Sequence, residues 1–267
     1  MNSRIGSCAR RPTEAPIDSG GNEGDTFGYR GARRTVTNRV VVITGANRGI
    51  GLELTRQLAA AGDTVVLGSR ESAKGERAAA MLAGEGLDVL PRRLDVTQQD
   101  SLSDLADEIV HRYERVDVLV NNAAVHYDTW QQASEADLEV VGEALDTNLL
   151  GAWRTTLALL PLIRASEHGR IVNVSSGAGS LTGMSGGIPA YRASKAALNA
   201  LTLMLADELR GDGILVNAVC PGWVATDMGG RGGRPVRDGA ASVRWAIELP
   251  DEGPTGGFFR DGKRVPW

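Results

Sequence analysis

Six apolar runs rich in Val and Ile recur along the chain, and helical stretches separate them. The runs cover residues 39–44, 64–69, 89–96, 116–123, 169–176 and 214–222. The helical stretches lie at about 50–61, 72–85, 101–114, 135–165 and 190–210. Continuous apolar strands that alternate with helices are typical of a parallel sheet covered on both faces. The pattern therefore predicts an α/β fold with one doubly wound parallel sheet and helices on both faces.

The two ends of the chain depart from this alternation. Residues 1–38 are rich in Gly, Arg, Ser and Pro and show no apolar periodicity, which is typical of a disordered extension. They also lack the apolar core of a signal peptide, and their acidic residues argue against a transit peptide. We therefore expect one folded domain over residues 39–267. Near its end, "RDGAASVRWAIEL" predicts a last helix and "TGGFFRDGKRVPW" a final edge strand.

Composition excludes several classes of protein. The formal net charge is -4 and the pI is about 5.5, so nucleic-acid binding has no electrostatic basis. The sequence contains no apolar run of about 18 residues or more, so we expect no membrane span. The cysteines, Cys8 and Cys220, are too few for a disulfide framework, and a reducing, cytoplasmic location is expected. No metal is expected, because His111, His126 and His168 have no ligand partner at helical spacing.

A glycine turn separates the first predicted strand from the first predicted helix. In "VVITGANRGIG", the residues Gly45, Gly49 and Gly51 follow the spacing Gly-x-x-x-Gly-x-Gly. Glycine permits a tight turn and lets the backbone approach a pyrophosphate, which the helix N-terminus then stabilises. No Gly-Lys-Ser/Thr follows, so the turn is not a P-loop. The turn therefore predicts a dinucleotide site in a Rossmann-type fold.

The end of the second strand indicates which dinucleotide binds. NAD sites usually present an acidic residue there, whereas this strand ends in "VVLGSR", which carries Arg70. Arg48 lies inside the glycine turn itself. Two cations suit a 2′-phosphate, and we expect the side chain of Glu71 to point into the following helix. The prediction is NADP(H), and the alternative is that both arginines are simply solvated.

These and later motifs make the chain resemble the short-chain dehydrogenase/reductase family over about residues 39–267. "TGANRGIG" resembles the family's cofactor loop, "LDVT" its adenine-contacting segment, and "CPGWVATDM" its segment near the nicotinamide. "NNAA" resembles Asn-Asn-Ala-Gly, with Ala124 in place of the glycine and Asn121 unchanged. The resemblance implies a Rossmann-fold catalytic domain with these cofactor-binding residues: Gly45, Asn47, Arg48, Gly49, Ile50, Gly51, Arg70, Asp95, Val96, Asn122, Ala123, Tyr191, Lys195, Pro221, Gly222, Val224 and Thr226.

The resemblance further implies that Asn148, Ser176, Tyr191 and Lys195 are catalytic. The cofactor supplies a hydride and Tyr191 a proton, while Ser176 polarises the carbonyl. Lys195 lies one turn after Tyr191 on the same helix face and is expected to lower its pKa. In the family this lysine also holds the ribose hydroxyls, and the asparagine holds a water that links the lysine to solvent. Ser175 is the alternative to Ser176, because alternation along a strand directs only one of them to the site.

The tail narrows the resemblance. "EGPTGGFFRDGKRVPW" is similar to the end of NADPH-dependent carbonyl reductases of this family. Only fourteen residues, 177–190, separate Ser176 from Tyr191, so the chain resembles the shorter relatives that lack an insertion there. The helices near 135–165 and 190–210 resemble those that pair in family dimers and tetramers. The resemblance thus leaves a homodimer and a homotetramer open.

The predicted function is NADPH-dependent reduction of a ketone or aldehyde to an alcohol, or the reverse, with Tyr191 as general acid/base. The alternative is a non-catalytic NADP(H)-binding sensor, since fold does not dictate function. A sensor, however, has no chemical need for a Tyr-Lys pair. "GMSGG" at 183–187 fits a hydrolase elbow, but no histidine lies downstream of it. The stretch after Gly222 is too short for the extra domain of a nucleotide-sugar epimerase.

The substrate is a small-molecule carbonyl or alcohol that the sequence leaves unnamed. The segment 223–240 contains five glycines and is expected to form a mobile lid. Trp223, Met184 and Leu181 indicate either an apolar substrate pocket or core positions. Arg231 and Arg234 either attract an anionic substrate or solvate the lid.

Overall fold

The structure is a computed structural model, and it describes residues 38–267 of the 267-residue chain. The predicted disordered extension over residues 1–38 lies, except for Asn38, outside the described residues. The predicted boundary at residue 39 therefore stays a prediction.

Strands and helices alternate along the described part of the chain as the sequence predicts. The strands are β1 (Val40–Ile43), β2 (Thr64–Ser69), β3 (Leu90–Arg93), β4 (Val118–Asn121), β5 (Arg170–Val174), β6 (Leu215–Val219), β7 (Phe258–Arg260) and β8 (Lys263–Arg264). The α-helices are α1 (Gly49–Ala60), α2 (Ser72–Gly84), α3 (Gln99–Tyr113), α4 (Leu138–Leu145), α5 (Ala152–Arg164), α6 (Pro189–Glu208) and α7 (Val236–Ile247).

The strands form one sheet in the order β3-β2-β1-β4-β5-β6-β7-β8. All neighbouring strands from β3 through β7 are parallel, and only β8 is antiparallel to its neighbour β7. The predicted final edge strand is thus a short hairpin. Strand order reverses between β1 and β4, and ligands of such sheets bind in the crevice outside the carboxyl ends at this point.

Helices cover both faces of the sheet, which confirms the doubly wound fold. Successive side chains of a strand point to opposite faces. Val42 accordingly packs in one cluster with residues of α3, α5 and α6, whereas Val41 and Ile43 pack in another with residues of α1, α2 and α7. All three are fully buried, and burying a side chain of this size contributes about 1.5–3 kcal/mol.

The predicted long helix over 135–165 is interrupted. A 3₁₀ turn at Ala133–Glu135 precedes α4, and a π-helical turn at Asp146–Gly151 joins α4 to α5. A Cβ at Gly151 would lie 2.6 Å from Val96 Cγ2, so this turn packs closely against the segment after β3. Such turns are frequent at functional sites, and this one contains Asn148. Across the described residues, no helix has the length and hydropathy needed to cross a membrane.

Candidate active site

A cleft of ≈ 510 Å³ opens at the carboxyl ends of the strands, where the strand order reverses. Most of the predicted cofactor-binding residues line it. These are Gly45, Asn47, Arg48, Gly49, Ile50, Arg70, Asp95, Val96, Asn122, Ala123, Tyr191, Lys195, Pro221 and Thr226. The predicted residues Gly51, Gly222 and Val224 do not line the cleft. They lie behind its wall. Val224 is buried, and a Cβ at either of the two glycines would come close to neighbouring atoms.

The glycine turn is shaped so that no side chain fits between it and β4. Gly45 has φ +62°, and a Cβ there would lie 2.9 Å from Ala123 Cα. A Cβ at Gly51 would lie 2.6 Å from the Nδ2 of Asn122. That Nδ2 donates to the carbonyl oxygens of Thr44 and Gly45, at 2.8 and 3.1 Å. The cradle and the N-terminus of α1 beside it fit the pyrophosphate of a dinucleotide.

Charged residues of both signs line the end of the cleft at β2: the cations Arg48, Arg70 and Lys74, and the carboxylates Glu71 and Asp227. Arg48 and Arg70 are exposed, and Arg48 Nη1 lies 3.0 Å from Asp227 Oδ2. Glu71 pairs with Lys74, and the hydrogen bond from Lys74 lowers the pKa of Glu71. The carboxylate of Glu71 thus turns toward its own helix, as the sequence suggests. Arg48 and Arg70 thus offer two exposed guanidinium groups at this end of the cleft.

The predicted adenine segment is ordered by local hydrogen bonds. Asp95 Oδ1 accepts from the backbone N and the Oγ1 of Thr97, at 3.1 and 2.8 Å. The backbone N of Asp95 donates to Ser101 Oγ at 3.0 Å. Asp95 is therefore both the turn residue that its position allows and a lining residue of the cleft.

Tyr191 and Lys195 lie in the first turns of α6, at the inner end of the cleft. Lys195 Nζ is buried, donates to Val174 O at 2.8 Å and lies 5.7 Å from the centre of the Tyr191 ring. Burial lowers the pKa of Lys195 to about 8. Burial also raises the pKa of Tyr191 to about 12, against a lowering by a hydrogen bond with Ser176. The pKa of Tyr191 is therefore raised and not lowered as the sequence predicts, because the desolvation of the phenol outweighs the hydrogen bond with Ser176.

The two candidate serines have different partners. Ser176 interacts with Tyr191, and its Oγ accepts from the backbone N of Ala178 at 3.1 Å. Ser175 is buried, and its Oγ donates to Asn199 Oδ1 at 2.6 Å. Ser176 thus contacts the tyrosine and Ser175 contacts α6, although Ser175 and not Ser176 is among the residues that line the cleft.

Asn148 is buried behind the cleft and ties two segments together. Its Oδ1 accepts from Val125 N at 2.8 Å, and its Nδ2 donates to Val125 O at 3.1 Å. The same Nδ2 donates to Ser194 Oγ at 3.0 Å. These bonds occupy the amide with protein partners, and the water link to Lys195 stays a prediction.

Several residues near the site carry no local signal in the sequence. The ring of Tyr127 packs edge-on against the ring of Tyr191, with centroids 5.2 Å apart. Asp128 is fully buried and accepts from the backbone of Ala190 and Tyr191. Met228 and Thr147 line the cleft. Met228 lies in "CPGWVATDM" and Thr147 lies next to Asn148 in "DTNLLGAWR", so both adjoin stretches that the sequence singles out, whereas Tyr127 and Asp128 do not.

The apolar residues that were candidates for the substrate pocket are surface residues. Leu181, Met184 and Trp223 are 71%, 40% and 62% exposed, so they are not core residues. None of them lines the cleft. Arg234 Nη1 pairs with Asp261 at 2.9 Å, which occupies it away from any substrate anion.

The residues of the rejected functions have ordinary surface partners. Ser185 of the "GMSGG" stretch accepts from Arg192 Nη2 at 2.9 Å, on an exposed loop. His126 pairs with Glu143, and His168 with Asp251. Among residues 38–267, no group of His, Cys, Asp and Glu is arranged to hold a metal ion.

Comparison with known proteins identifies the class. Residues 39–234 match the family model of short chain dehydrogenases. The chain therefore belongs to the short-chain dehydrogenase/reductase family and is an oxidoreductase.

Individual relatives place it near the carbonyl reductases. It is 41% identical over 211 residues to the monensin polyketide synthase putative ketoacyl reductase of Streptomyces virginiae, covering 78% of this chain and 77% of that protein. It is 34% identical over 278 residues to carbonyl reductase (NADPH) 1 of Sus scrofa, covering 86% of this chain and 94% of that protein.

Two solved structures share the fold. The NADPH-bound carbonyl reductase from chicken fatty liver superimposes with a TM-score of 0.78 at 28% identity, covering 87% of this chain and all (100%) of that one. Salutaridine reductase from Papaver somniferum superimposes with a TM-score of 0.75 at 31% identity, covering 84% and 100%. These matches confirm the predicted fold class and the predicted family.

Proposed function

We propose that the protein reduces a ketone or aldehyde to an alcohol with NADPH, or catalyses the reverse reaction, with Tyr191 as general acid/base. The observation that carries the proposal is that Tyr191 and Lys195 line the inner end of the cleft and that Ser176 is hydrogen-bonded to Tyr191. The pig and chicken relatives, both named carbonyl reductases, one with NADPH in its name and the other with NADPH bound, support the same chemistry.

The cofactor proposal rests on how the cleft fits each part of NADP(H). The turn from Gly45 to Gly51 would hold the pyrophosphate, because no side chain obstructs its backbone. Arg48 and Arg70 would hold the 2′-phosphate, and Asp95 would contact the adenine. At the other end, Pro221 and Thr226 would border the nicotinamide. When bound, NADPH supplies the hydride that reduces the carbonyl carbon.

The protein's own residues would handle the proton. A Tyr191 pKa of about 12 keeps the phenol protonated at neutral pH, so Tyr191 Oη can donate to the oxygen of the substrate. The Ser176 hydroxyl would hydrogen-bond that oxygen and stabilise its developing negative charge. With a pKa of about 8, Lys195 is mostly charged at pH 7 and would stabilise the tyrosinate left behind. The carbonyl carbon gains a hydride, its oxygen gains a proton, and the tyrosine is then reprotonated from solvent.

The test is oxidation of NADPH and of NADH with a panel of aldehydes and ketones. Tyr191→Phe is compared with wild type, and Tyr113→Phe on α3 is the matched control because its ring packs against the core away from the cleft. We expect turnover with NADPH that Tyr191→Phe lowers by about 10²–10⁴-fold and Tyr113→Phe leaves unchanged. Tight NADPH binding without turnover on any carbonyl would instead favour the sensor.

The proposed assembly is a homodimer or homotetramer. Trp153 and Leu157 on α5, and Leu203 and Met204 on α6, are apolar and at least 36% exposed. Light scattering on the purified protein measures the molar mass directly. A monomer at micromolar concentration would contradict this part of the proposal.

A further inference from the structure

Helix α6, which carries Tyr191, starts without a cap of its own. Ile188 is the residue before the helix, has φ 45° and offers no side-chain acceptor. Pro189 follows and has no N–H group. Ala190 and Tyr191 are therefore the first residues whose backbone N–H groups need an acceptor from elsewhere.

Asp128 supplies that acceptor from a segment 62 residues earlier in the chain. Its Oδ2 accepts from Ala190 N at 3.0 Å, and its Oδ1 accepts from Tyr191 N at 3.1 Å. The residue is 0% exposed, and Gln131 Nε2 lies 3.3 Å from Oδ2. A buried carboxylate is costly unless it is hydrogen-bonded, and a helix N-terminus is the backbone site that best stabilises its charge. Each oxygen thus holds one of the two amides.

The segment around Asp128 is connected to Tyr191 at two further places. The Tyr127 ring packs against the Tyr191 ring. The backbone oxygen of Tyr191 accepts from Ser194 Oγ at 2.9 Å, and Ser194 is in turn bonded to Asn148. Asn148 holds both backbone groups of Val125. The loop after β4 therefore contacts the backbone N and the ring of the tyrosine directly, and is linked to its backbone O only through Asn148 and Ser194.

We propose that Asp128 is a positioning residue that sets where the Tyr191 hydroxyl lies in the cleft. This inference rests on the proposed function, because it assigns Asp128 a role in the proton transfer by Tyr191. Proton transfer requires the donor within hydrogen-bond reach of the substrate oxygen, and a displacement of about 1 Å can lower the rate about 10²-fold. A carboxylate with two acceptor oxygens fixes the first turn in one place, which a single acceptor does not.

The decisive variant is Asp128→Asn, which keeps the shape of the side chain but replaces one acceptor oxygen with an NH₂ group. Its matched control is Asp117→Asn, since Asp117 is 4% exposed and its Oδ2 accepts from Val40 N at 2.7 Å, at the opposite end of the sheet. We expect Asp128→Asn to lower kcat about 10–100-fold, with the Kd for NADPH changed less than about twofold. Both substitutions are expected to lower the Tm by similar amounts, but Asp117→Asn is expected to leave kcat unchanged.

A second comparison separates positioning from general damage. If Asp128 acts through Tyr191, Asp128→Asn costs no further activity when Tyr191 is already phenylalanine. The residual rates of Tyr191→Phe and of the double variant are then equal. A further loss equal to that in the wild-type background would overturn the proposal, and so would an equal loss of kcat in Asp117→Asn.

Hydrogen exchange reads the contact without any turnover. In Asp128→Asn the amides of Ala190 and Tyr191 should lose protection, while those in the middle of α6 keep it. Unchanged protection would overturn the proposal, because the two hydrogen bonds would then not hold the helix. An inactive wild-type protein in which these amides do lose protection on substitution would refute the proposed function and reduce Asp128 to a helix cap, which also overturns the positioning role.

Discussion

Each end of the parallel sheet carries a buried aspartate beside strand β4, and the two aspartates differ in what they hold in place. At the amino end, Asp117 accepts from Val40 N, Ser166 Oγ and Arg115 Nε, so its carboxylate is enclosed by partners from three segments. At the carboxyl end, Asp128 holds the start of α6, and beside it lie a phenol and an ammonium group that face a cleft. Both carboxylates flank the same strand, β4. The polar groups at the amino end thus satisfy one another, whereas those at the carboxyl end include two groups that face the cleft.

The pKa shifts differ between the two ends in cause as well as in size. At the amino end they arise from ion pairs: a hydrogen bond to Asp63 raises the pKa of Arg39, and one from Arg170 lowers the pKa of Asp251. At the carboxyl end the pKa of Glu71 is also shifted by an ion pair, but burial is the main cause of the large shifts of Tyr191 and Lys195. Groups shifted by desolvation in a cleft are candidates for catalysis, whereas ion pairs at a surface are ordinary structure.

Among the predictions that follow, the largest change in kcat should come from the two adjacent serines, each replaced by alanine in turn. We expect Ser176→Ala to lower kcat about 10²–10³-fold, because a donor to the substrate oxygen is lost. Ser175→Ala removes the partner of Asn199 and should cost about 1–3 kcal/mol of unfolding free energy with much less effect on kcat. Steady-state kinetics and urea unfolding measure the two quantities. The reverse ranking of kcat losses would show that Ser175 is the reactive serine.

The cofactor cradle should be the next most sensitive feature. A Cβ at Gly51 would meet Asn122 Nδ2 at 2.6 Å and Gly45 O at 2.8 Å, so Gly51→Ala must displace the turn. We expect the Kd for NADPH to rise at least about tenfold, which corresponds to about 1.4 kcal/mol. Gly84→Ala in α2 is the control, because a Cβ there meets nothing within 4 Å. Fluorescence titration with NADPH measures both, and equal Kd values would contradict the proposed cradle.

The pH dependence of reduction should report Lys195 and not Tyr191. The phenol stays protonated up to pH about 12, whereas Lys195 loses its proton, and with it its positive charge, above pH about 8. We therefore expect kcat/KM for carbonyl reduction to be constant below pH 8 and to fall as pH rises through it, about tenfold per pH unit. In Lys195→Arg this fall should disappear, since arginine remains charged. An unchanged fall in that variant would assign it to another group.

The smallest effect concerns the choice between NADPH and NADH. Removing one of two exposed cations from a phosphate site should weaken NADPH binding by about 1 kcal/mol, or about fivefold, and leave NADH binding unchanged. We expect this for Arg70→Ala, while Lys263→Ala on the exposed hairpin serves as a charge-matched control. The ratio of kcat/KM with NADPH to kcat/KM with NADH, measured at low and at high salt, tests this prediction. An equal loss for both cofactors would mean that Arg70 does not read the 2′-phosphate.

The sequence predicts what depends on neighbours along the chain. The strand–helix alternation and the turn at Gly45 are local patterns, and the spacing of Tyr191 and Lys195 fixes their common face. By contrast, Asp128 meets Tyr191 only because two distant segments cross, and no periodicity marks it. The π-helical turn around Asn148 has the same origin, since helical propensity gives no reason to insert a residue there.

The pKa values could not be predicted from sequence for a related reason. The motif suggested a tyrosine acidified by Lys195, because the two residues are one turn apart. Desolvation depends on how much protein surrounds each group, and that quantity exists only in the folded structure. Burial reverses the expected direction for Tyr191.

The strand order has a consequence for how the molecule can be made on the ribosome. Within residues 38–267, the strands β1, β2 and β3 come first along the chain and are neighbours on one side of the sheet. Contacts between segments that are close in the sequence form more readily than contacts between distant ones. We expect the nascent chain to complete the glycine cradle early, while α6 and its tyrosine are still untranslated. Helix α6 then packs against strands that are already paired and against the loop that bears Asp128.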